Sequence, residues 1–554
     1  MKLFQFLGLA MPVLVNALAA TDEPQSADPP QSGYLPNHNL APSTLAGFAK
    51  KWNLKFNSNE KLYSMPVVYT PSGSTQELVI IGSIQNVVRV VDSATGQLVK
   101  IRTLDAPYIS SDSNCNDGAT VGITGTPVID PATDIMYLFS KGYMNGLAGP
   151  QGAYKMWALH IPDLTVVPGY PVLIQGPASN DPTKYFNGGE ILQRPGLTMI
   201  GDSIIAGFGG HCDSMNYTGI LLTVSKTTGQ MQDQMVMMAS PGSPWAPDLQ
   251  AGKGGKAGIW QSGMAIAADL DKNRVFFATG NSDVNGDLGG INGAPHSGKV
   301  PISTLGQAIA NIGVDPVSGN LTQQDFFVPV GYAKLNSGDK DFSAGGVSLL
   351  DPTVFNGGGV NRVALGTSKV GTLYVMDAEN LGGYKQGPGG TTDGKKFSKR
   401  SFLQRDRSTV ALAATPRKVV ISSMQISTLL QITRLNENSF CHTGAPLQAW
   451  RLTPDASGKP NFKFAGQSAL SVGCHGTPTV TSQNGVAGTG IVWLSDTTKG
   501  LIAFNAVPNG SSVLTQITVP GSGGLTKFHR PVFGNNNVFV TTSNHLIAIG
   551  GPKL

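Results

Sequence analysis

Seven residues of this chain, Arg194, Trp260, Asp341, Lys369, His475, His529 and Arg530, are of types that can do chemistry together. An indole face stacks on a planar ligand, and guanidinium and ammonium groups donate to carbonyl or enolate oxygens. A histidine moves a proton near neutral pH, and a carboxylate takes one. Such a set suits an electron-rich, planar organic molecule. Each residue also has a plainer explanation. An Arg before Pro at a strand entry satisfies neighbouring carbonyls, and a His there is a structural hydrogen-bonder. Asp341 can pair with Lys340 or Lys369 as a surface ion pair.

These residues are far apart in the chain, so only a repeating fold can bring them to one place. The clearest repeat unit is WQSGMAIAADLDKNRVFFATGNSD, starting at Trp260. It reads as strand MAIAAD, turn DKN and strand RVFFATG, then a polar turn at Asn281. Weaker copies begin at Ser64-Met-Pro, Gly125-Thr-Pro, Arg194-Pro-Gly, Gly345-Gly-Val, Gly476-Thr-Pro and Arg530-Pro-Val, and a degraded one lies near KVVISSM and LQAWRLT. They recur every roughly 50 to 80 residues, each too small to bury its own faces, which predicts an all-β, eight-bladed β-propeller. Seven blades remain open, because QISTLLQITRLNENSF also reads as an insertion. The last copy stops after three strands, so KKWNLKF, residues 50–56, is expected to close the ring. In a propeller, residues just before each inner strand face the mouth of the central funnel. That brings Gln193, Arg194, Trp260, Gln261, Cys474, His475, His529 and Arg530 together, with Asp341 and Lys369 on nearby loops.

Composition agrees with a turn-rich β protein: 70 glycines, 36 prolines and 13% charged residues in 554, about half the usual charge. Residues 1–20 have the n-region, apolar run and Ala-Leu-Ala of a signal peptide, which predicts secretion. Residues 21–46, rich in Pro, Ser and Asp, read as a flexible arm, and 47–554 as a single propeller domain. The net charge of +5 and the basic run Lys395–Arg407, which no aromatic residue lines as a stacking platform, argue against nucleic acid; no second apolar segment argues for a membrane. A monomer with a small molecule in its funnel is expected. The sequons at Asn216, Asn320 and Asn509 are candidate glycosylation sites. Four cysteines in an exported chain favour two disulfides and allow three pairings; Cys441 with Cys474, about one repeat apart, is the pair favoured here. No nucleophile elbow, phosphate loop or dinucleotide fingerprint is present.

The motifs VVDSATGQLV and GTLYVMDAENLGG resemble the repeat signature of the pyrroloquinoline-quinone (PQQ) dehydrogenases and their propeller relatives. The resemblance implies a role for several residues. Ala278-Thr-Gly-Asn281 is similar to the turn that supplies an Asn ligand to calcium. Asp339-Lys-Asp341-Phe is similar to the motif carrying the catalytic base, here Asp341. Ser368-Lys369 is similar to the segment whose basic residue contacts the quinone oxygens. Asp213 stands nearest to the family's Glu ligand, and Trp260, Arg194 and Arg530 would then hold the quinone. The chain departs from the family in three ways. It has no adjacent cysteine pair, Gly263 stands where the family's stacking Trp forms the floor under the quinone, and Lys340 replaces the Trp before the base.

Two functions follow. One is a secreted quinoprotein-type oxidoreductase of an alcohol or sugar, with PQQ and calcium as cofactors. The other needs no cofactor: a metabolite-tailoring cyclase, isomerase or pericyclase, such as a hetero-Diels–Alderase of secondary metabolism. In it, Arg194, Trp260 and His475 position and protonate the substrate. A non-catalytic binding scaffold is the third possibility.

Overall fold

The repeats fold into eight sheets of four or five strands, antiparallel except for a parallel edge strand in three of them, arranged in chain order around a ring. The computed structural model describes residues 19–115, 118–144, 152–239, 254–283, 291–369, 372–393, 398–401, 410–415, 428–433, 445–473 and 476–551. Blade 1 runs from Val67–Tyr69 to Leu98–Thr103, and blade 2 from Val128–Asp130 to Val172–Ile174. Blade 3 runs from Ile191–Gln193 to Met231–Val236, and blade 4 from Ala267–Asp269 to Leu321–Val328. Blade 5 spans Val347–Leu349 to Ser398–Ser401, blade 6 Val410–Thr415 to Phe462–Val472, and blade 7 Thr479–Thr481 to Gln516–Ile517. Blade 8 runs from Val532–Gly534 to His545–Gly550. The degraded copy is therefore a blade: Ala445–Leu452 takes in most of LQAWRLT, Thr428–Thr433 comes from the stretch that also reads as an insertion, and KVVISSM lies outside the described residues. One short α-helix, Tyr332–Ser337, precedes blade 5. Among the described residues no helix is long and apolar enough to cross a membrane.

The second strands of several blades are buried along their whole length rather than on alternate residues. Leu78–Gly82, Arg274–Ala278, Val363–Thr367 and Ile491–Asp496 are buried at every position. Both faces of these strands are covered, one by each neighbouring blade. The burial is organised accordingly. Val67, Ile80, Ile129 and Leu138 share a core between blades 1 and 2, and Phe139, Tyr154, Ile204 and Phe208 one between blades 2 and 3. Ala267, Phe276, Leu349 and Tyr374 do so between blades 4 and 5. Phe56, Val79, Val532 and Phe539 form the core between blades 8 and 1, where the ring closes. The closing strand is Ala49–Lys55, which pairs antiparallel with His545–Gly550 from Ala49 opposite Gly550 to Lys55 opposite His545. That is the role expected of KKWNLKF.

The arm before it departs from expectation. Residues 21–46 are packed against the blades, with Glu23, Gln25, Ser26, Gln31 and His38 buried. Tyr34–Leu35 adds a parallel strand to blade 7. The backbone oxygens of Pro24, Pro29, Pro30 and Gly33 accept from the N–H groups of Ile129, Ala268, Leu349 and Val480, at 2.7–2.9 Å. Glu23 and Val68 exchange two such bonds at 2.9 Å. These N–H groups belong to the inner strands of blades 2, 4, 5, 7 and 1. An inner strand has an open edge toward the channel, and its donors need acceptors. A proline has only a carbonyl to offer, so the Pro-rich composition that reads as disorder suits this task. The Glu23 carboxylate receives the Arg530 guanidinium and, at 2.6 Å, the Phe533 N–H; both charged side chains are at most 2% exposed.

Glu23→Ala leaves the Arg530 charge buried without its carboxylate. Unfolding in urea should show a loss of about 3–5 kcal/mol; a change below about 1 kcal/mol would mean that the arm does not hold Arg530 in solution.

Candidate functional site

In each blade the residue entering the inner strand and the residue leaving the second strand lie at the same edge, because the two strands are antiparallel. Blade 3 thus offers Arg194 and, after Ser203–Gly210, His211, Cys212 and Asp213. Blade 4 offers Trp260 and, after Arg274–Ala278, Gly280 and Asn281. Blade 5 offers Asp339, Asp341 and Ser343 and, after Val363–Thr367, Lys369. With Tyr63, Thr124, Lys527 and Phe528 these residues line one cavity of about 610 Å³.

One end of the cavity is acidic. Carboxylate oxygens of Asp213, Asp339 and Asp341 lie within 4.8 Å of one another, the grouping that could hold a cation. The Lys369 ammonium is already among them, 2.6 Å from Asp341 Oδ2 and 3.3 Å from Asp339 Oδ1. Asn281 Nδ2 donates to Asp339 Oδ1 at 2.9 Å and Asp213 Oδ2 at 3.3 Å, and the Asn281 backbone N–H to Asp341 Oδ1 at 3.3 Å. The Tyr217 hydroxyl donates to Asp213 Oδ1. Burial pushes the Asp341 carboxyl above its ordinary value, with Lys369 opposing and the two other aspartates adding to the rise. Burial would depress Lys369, but the Asp341 and Asp339 charges hold it above its ordinary value.

The other end is aromatic and cationic. Trp260 and Phe528 meet edge to face, ring centres 5.0 Å apart. Lys527 Nζ lies 4.7 Å from the Phe528 ring centre. The Arg194 guanidinium donates from Nη1 to Tyr63 O at 3.0 Å and Thr124 O at 3.1 Å. It also lies against Gly263. A Cβ there would come within 2.6 Å of Arg194 Nη1, and Gly263 has φ +83°. Arg194 therefore fills the space that an indole at position 263 would need. The residues present do not fit a quinone sandwiched between a cap and a tryptophan floor.

Of the residues singled out in the sequence, Arg194, Asp213, Trp260, Asn281, Asp341 and Lys369 come together. Arg530 does not: Glu23 of the arm holds it away from the cavity wall. His529 is buried, with Nε2 donating to Tyr63 O at 2.9 Å and Nδ1 facing Thr541 Oγ1 at 2.6 Å. Burial and the nearby Arg194 bring it down to about 3, so it stays neutral. His475, Cys474 and Cys441 lie outside the described residues. Among the described residues a disulfide joins Cys115 to Cys212, 97 residues apart, and Cys212 is in the cavity wall. Asn320 and Asn509 are exposed, whereas Asn216 is 1% exposed and cannot carry a glycan in this fold.

Sequence reasoning missed Tyr63, Tyr217, Lys527 and Phe528, which carry no motif. It also missed Lys141. That ammonium is wholly buried, 2.6 Å from His211 Nε2, 2.8 Å from Ile191 O and 4.3 Å above the Tyr108 ring. It braces the loop that carries Cys212 and Asp213. A lysine within the apolar run of Ile135–Tyr143 was the signal available.

No protein-family model matches the chain, and no curated protein does. Solved structures do. A quinohemoprotein alcohol dehydrogenase from Comamonas testosteroni is 15% identical, matching 98% of this chain and 82% of its own, with TM-score 0.57. A quinohemoprotein alcohol dehydrogenase from Pseudomonas putida HK5 is 10% identical over 97% and 81%, with TM-score 0.59. A europium-containing methanol dehydrogenase is 11% identical over 96% and 98%, with TM-score 0.55. The chain has the β-propeller fold of these quinoprotein-type dehydrogenases.

Two outcomes test the site's description. Gly359 has nearly the same φ as Gly263, +85°, but open space around it. Gly359→Ala should cost about 1–2 kcal/mol from backbone conformation alone, and Gly263→Ala measurably more in the same denaturant titration. Equal costs would mean that the Arg194 guanidinium is not held against Gly263 by its bonds to Tyr63 O and Thr124 O. For His529, the folded value of about 3 is below the ordinary 6.5, so its protonation favours unfolding. Its contribution is full above pH 6.5 and is lost toward pH 3 at roughly 1.4 kcal/mol per pH unit. The stability difference between wild type and His529→Gln should therefore grow with pH from 4 to 6 and level off above 7; a difference independent of pH would contradict a buried neutral imidazole.

Proposed function

We propose that this protein is a secreted, cofactor-independent enzyme that tailors a small planar metabolite bearing a carbonyl or enol, by isomerisation, cyclisation or a pericyclic step. The observation that carries the reading is the Arg194 guanidinium lying against Gly263. It takes the place of a stacking floor and leaves a cavity with aromatic walls and a charged end.

The residues support this chemistry without an external oxidant. Trp260, Phe528 and Tyr63 offer apolar faces to a planar ligand. Lys369 Nζ is placed to donate to a carbonyl or enolate oxygen, stabilising charge as it develops. Asp341, its carboxyl raised by burial, is suited to take a proton from one position of the substrate and return it to another. Proton and electrons stay with the substrate and the Asp341–Lys369 pair, so the sum is an isomerisation. The second reading, a quinoprotein-type oxidoreductase of an alcohol, draws on the three clustered carboxylates and the fold of the dehydrogenases.

Reconstitution with PQQ and calcium separates the two. The expected outcome is no bound-quinone absorption band at micromolar PQQ, no dye reduction with alcohols or sugars, and conversion of substrate that survives EDTA. A saturable quinone band with dye reduction would establish the oxidoreductase instead.

A further inference from the structure

We propose that Gln307 decides which end of the Asn281 amide meets the carboxylate cluster, and thereby reserves that cluster for O–H and N–H donors of an organic ligand rather than a divalent cation. The argument is a chain of donors and acceptors that starts from a group with no choice. The backbone N–H of Phe342 can only donate, and it points at the Gln307 side chain at 2.8 Å, so that atom is Oε1. The other end of the same amide is Nε2, which can only donate, and it meets Asn281 at 2.7 Å. The Asn281 atom there is therefore Oδ1. What remains for the cavity is Nδ2, aimed at Asp339 and Asp213. Gln307 has little freedom to turn over. It is wholly buried, and its own N–H is held by Gly280 O at 2.9 Å.

The consequence concerns what the three aspartates accept. A calcium ion needs six to eight oxygens around it. Here it would meet an amide NH₂ and the Lys369 ammonium, while Asp213 Oδ1 is taken by Tyr217. A hydroxyl or N–H of a ligand can donate to the carboxylates without needing a full shell of oxygens, and Asp339, with its side chain 71% exposed, is open to it. This deepens the proposed function and rests on it for the organic nature of the ligand, but its test uses metal alone.

Terbium luminescence, sensitised by Trp260 and Tyr217 in the same cavity wall, reads occupancy directly. Wild type should show no saturable signal at micromolar Tb³⁺ and no shift of its thermal midpoint with calcium. Gln307→Glu turns the relay round: both carboxylate oxygens accept, so Asn281 presents Nδ2 to residue 307 and Oδ1 to the cluster. Asn281→Asp leaves the relay intact and places an oxygen at both ends. Each variant should bind Tb³⁺ at least about tenfold more tightly than wild type, the scale of effects seen when groups behind metal ligands are changed. Should one variant not fold, the other carries the comparison. Wild type binding Tb³⁺ as tightly as either variant overturns the proposal. Failure of the cofactor-free reading looks different: it appears as quinone binding.

Discussion

The structure depends on a ring that closes on itself. Every blade has two faces to bury, and only a neighbour on each side buries both. An open stack would leave two apolar faces exposed, one at each end. Pairing Ala49–Lys55 with His545–Gly550 removes those ends and completes the Phe56, Val79, Val532 and Phe539 core. The contact is among the most non-local in the chain, yet the cavity's dimensions follow from it, since residues of blades 1, 2, 3, 4, 5 and 8 line it together.

The arm solves the complementary problem at the axis. Closing the ring satisfies sheet faces but not the inner edges, whose N–H groups point into the channel. The arm crosses five of these strands and supplies carbonyls, three of them from proline. Its Glu23 pairs with Arg530 out of water. Such a pair is costly to form and more costly to break, which makes it a registry device for the arm more than a source of stability.

At the cavity the same fold carries a different balance of groups from the one its repeat motifs imply. Lys369 and Asp341 sit in contact, as the resemblance to quinoprotein dehydrogenases would place them. Around them, Arg194 against Gly263 and the Gln307 relay behind Asn281 change what the cavity receives. Neither change involves the residues that would do the chemistry. Shape and hydrogen-bond direction set the ligand class, while the reactive pair stays in place.

The fold was legible in the sequence because repetition is a local property: apolar strands, Gly and Asp turns and a fixed spacing recur whether or not they touch. The count of eight, the closing strand at 50–56 and the convergence of Arg194, Trp260, Asp341 and Lys369 follow from that spacing, while Asn281 is reached through the resemblance of its turn to the quinoprotein motif. Tertiary structure alone decided the rest. Arg530 has the same Arg-Pro context as Arg194, yet one faces the cavity and the other Glu23, because only the arm's path distinguishes them. The bridge between Cys115 and Cys212 is the one that complements the favoured Cys441–Cys474 pairing, but only the packing of the loops shows the two sulfurs meeting at the cavity wall. The direction of the Asn281 amide depends on a backbone N–H at Phe342, 61 positions away, passed on by a glutamine with no motif of its own. Residue types fix which bonds are possible; only packing fixes which partner is within reach, and with it which end of an amide is left to face the ligand.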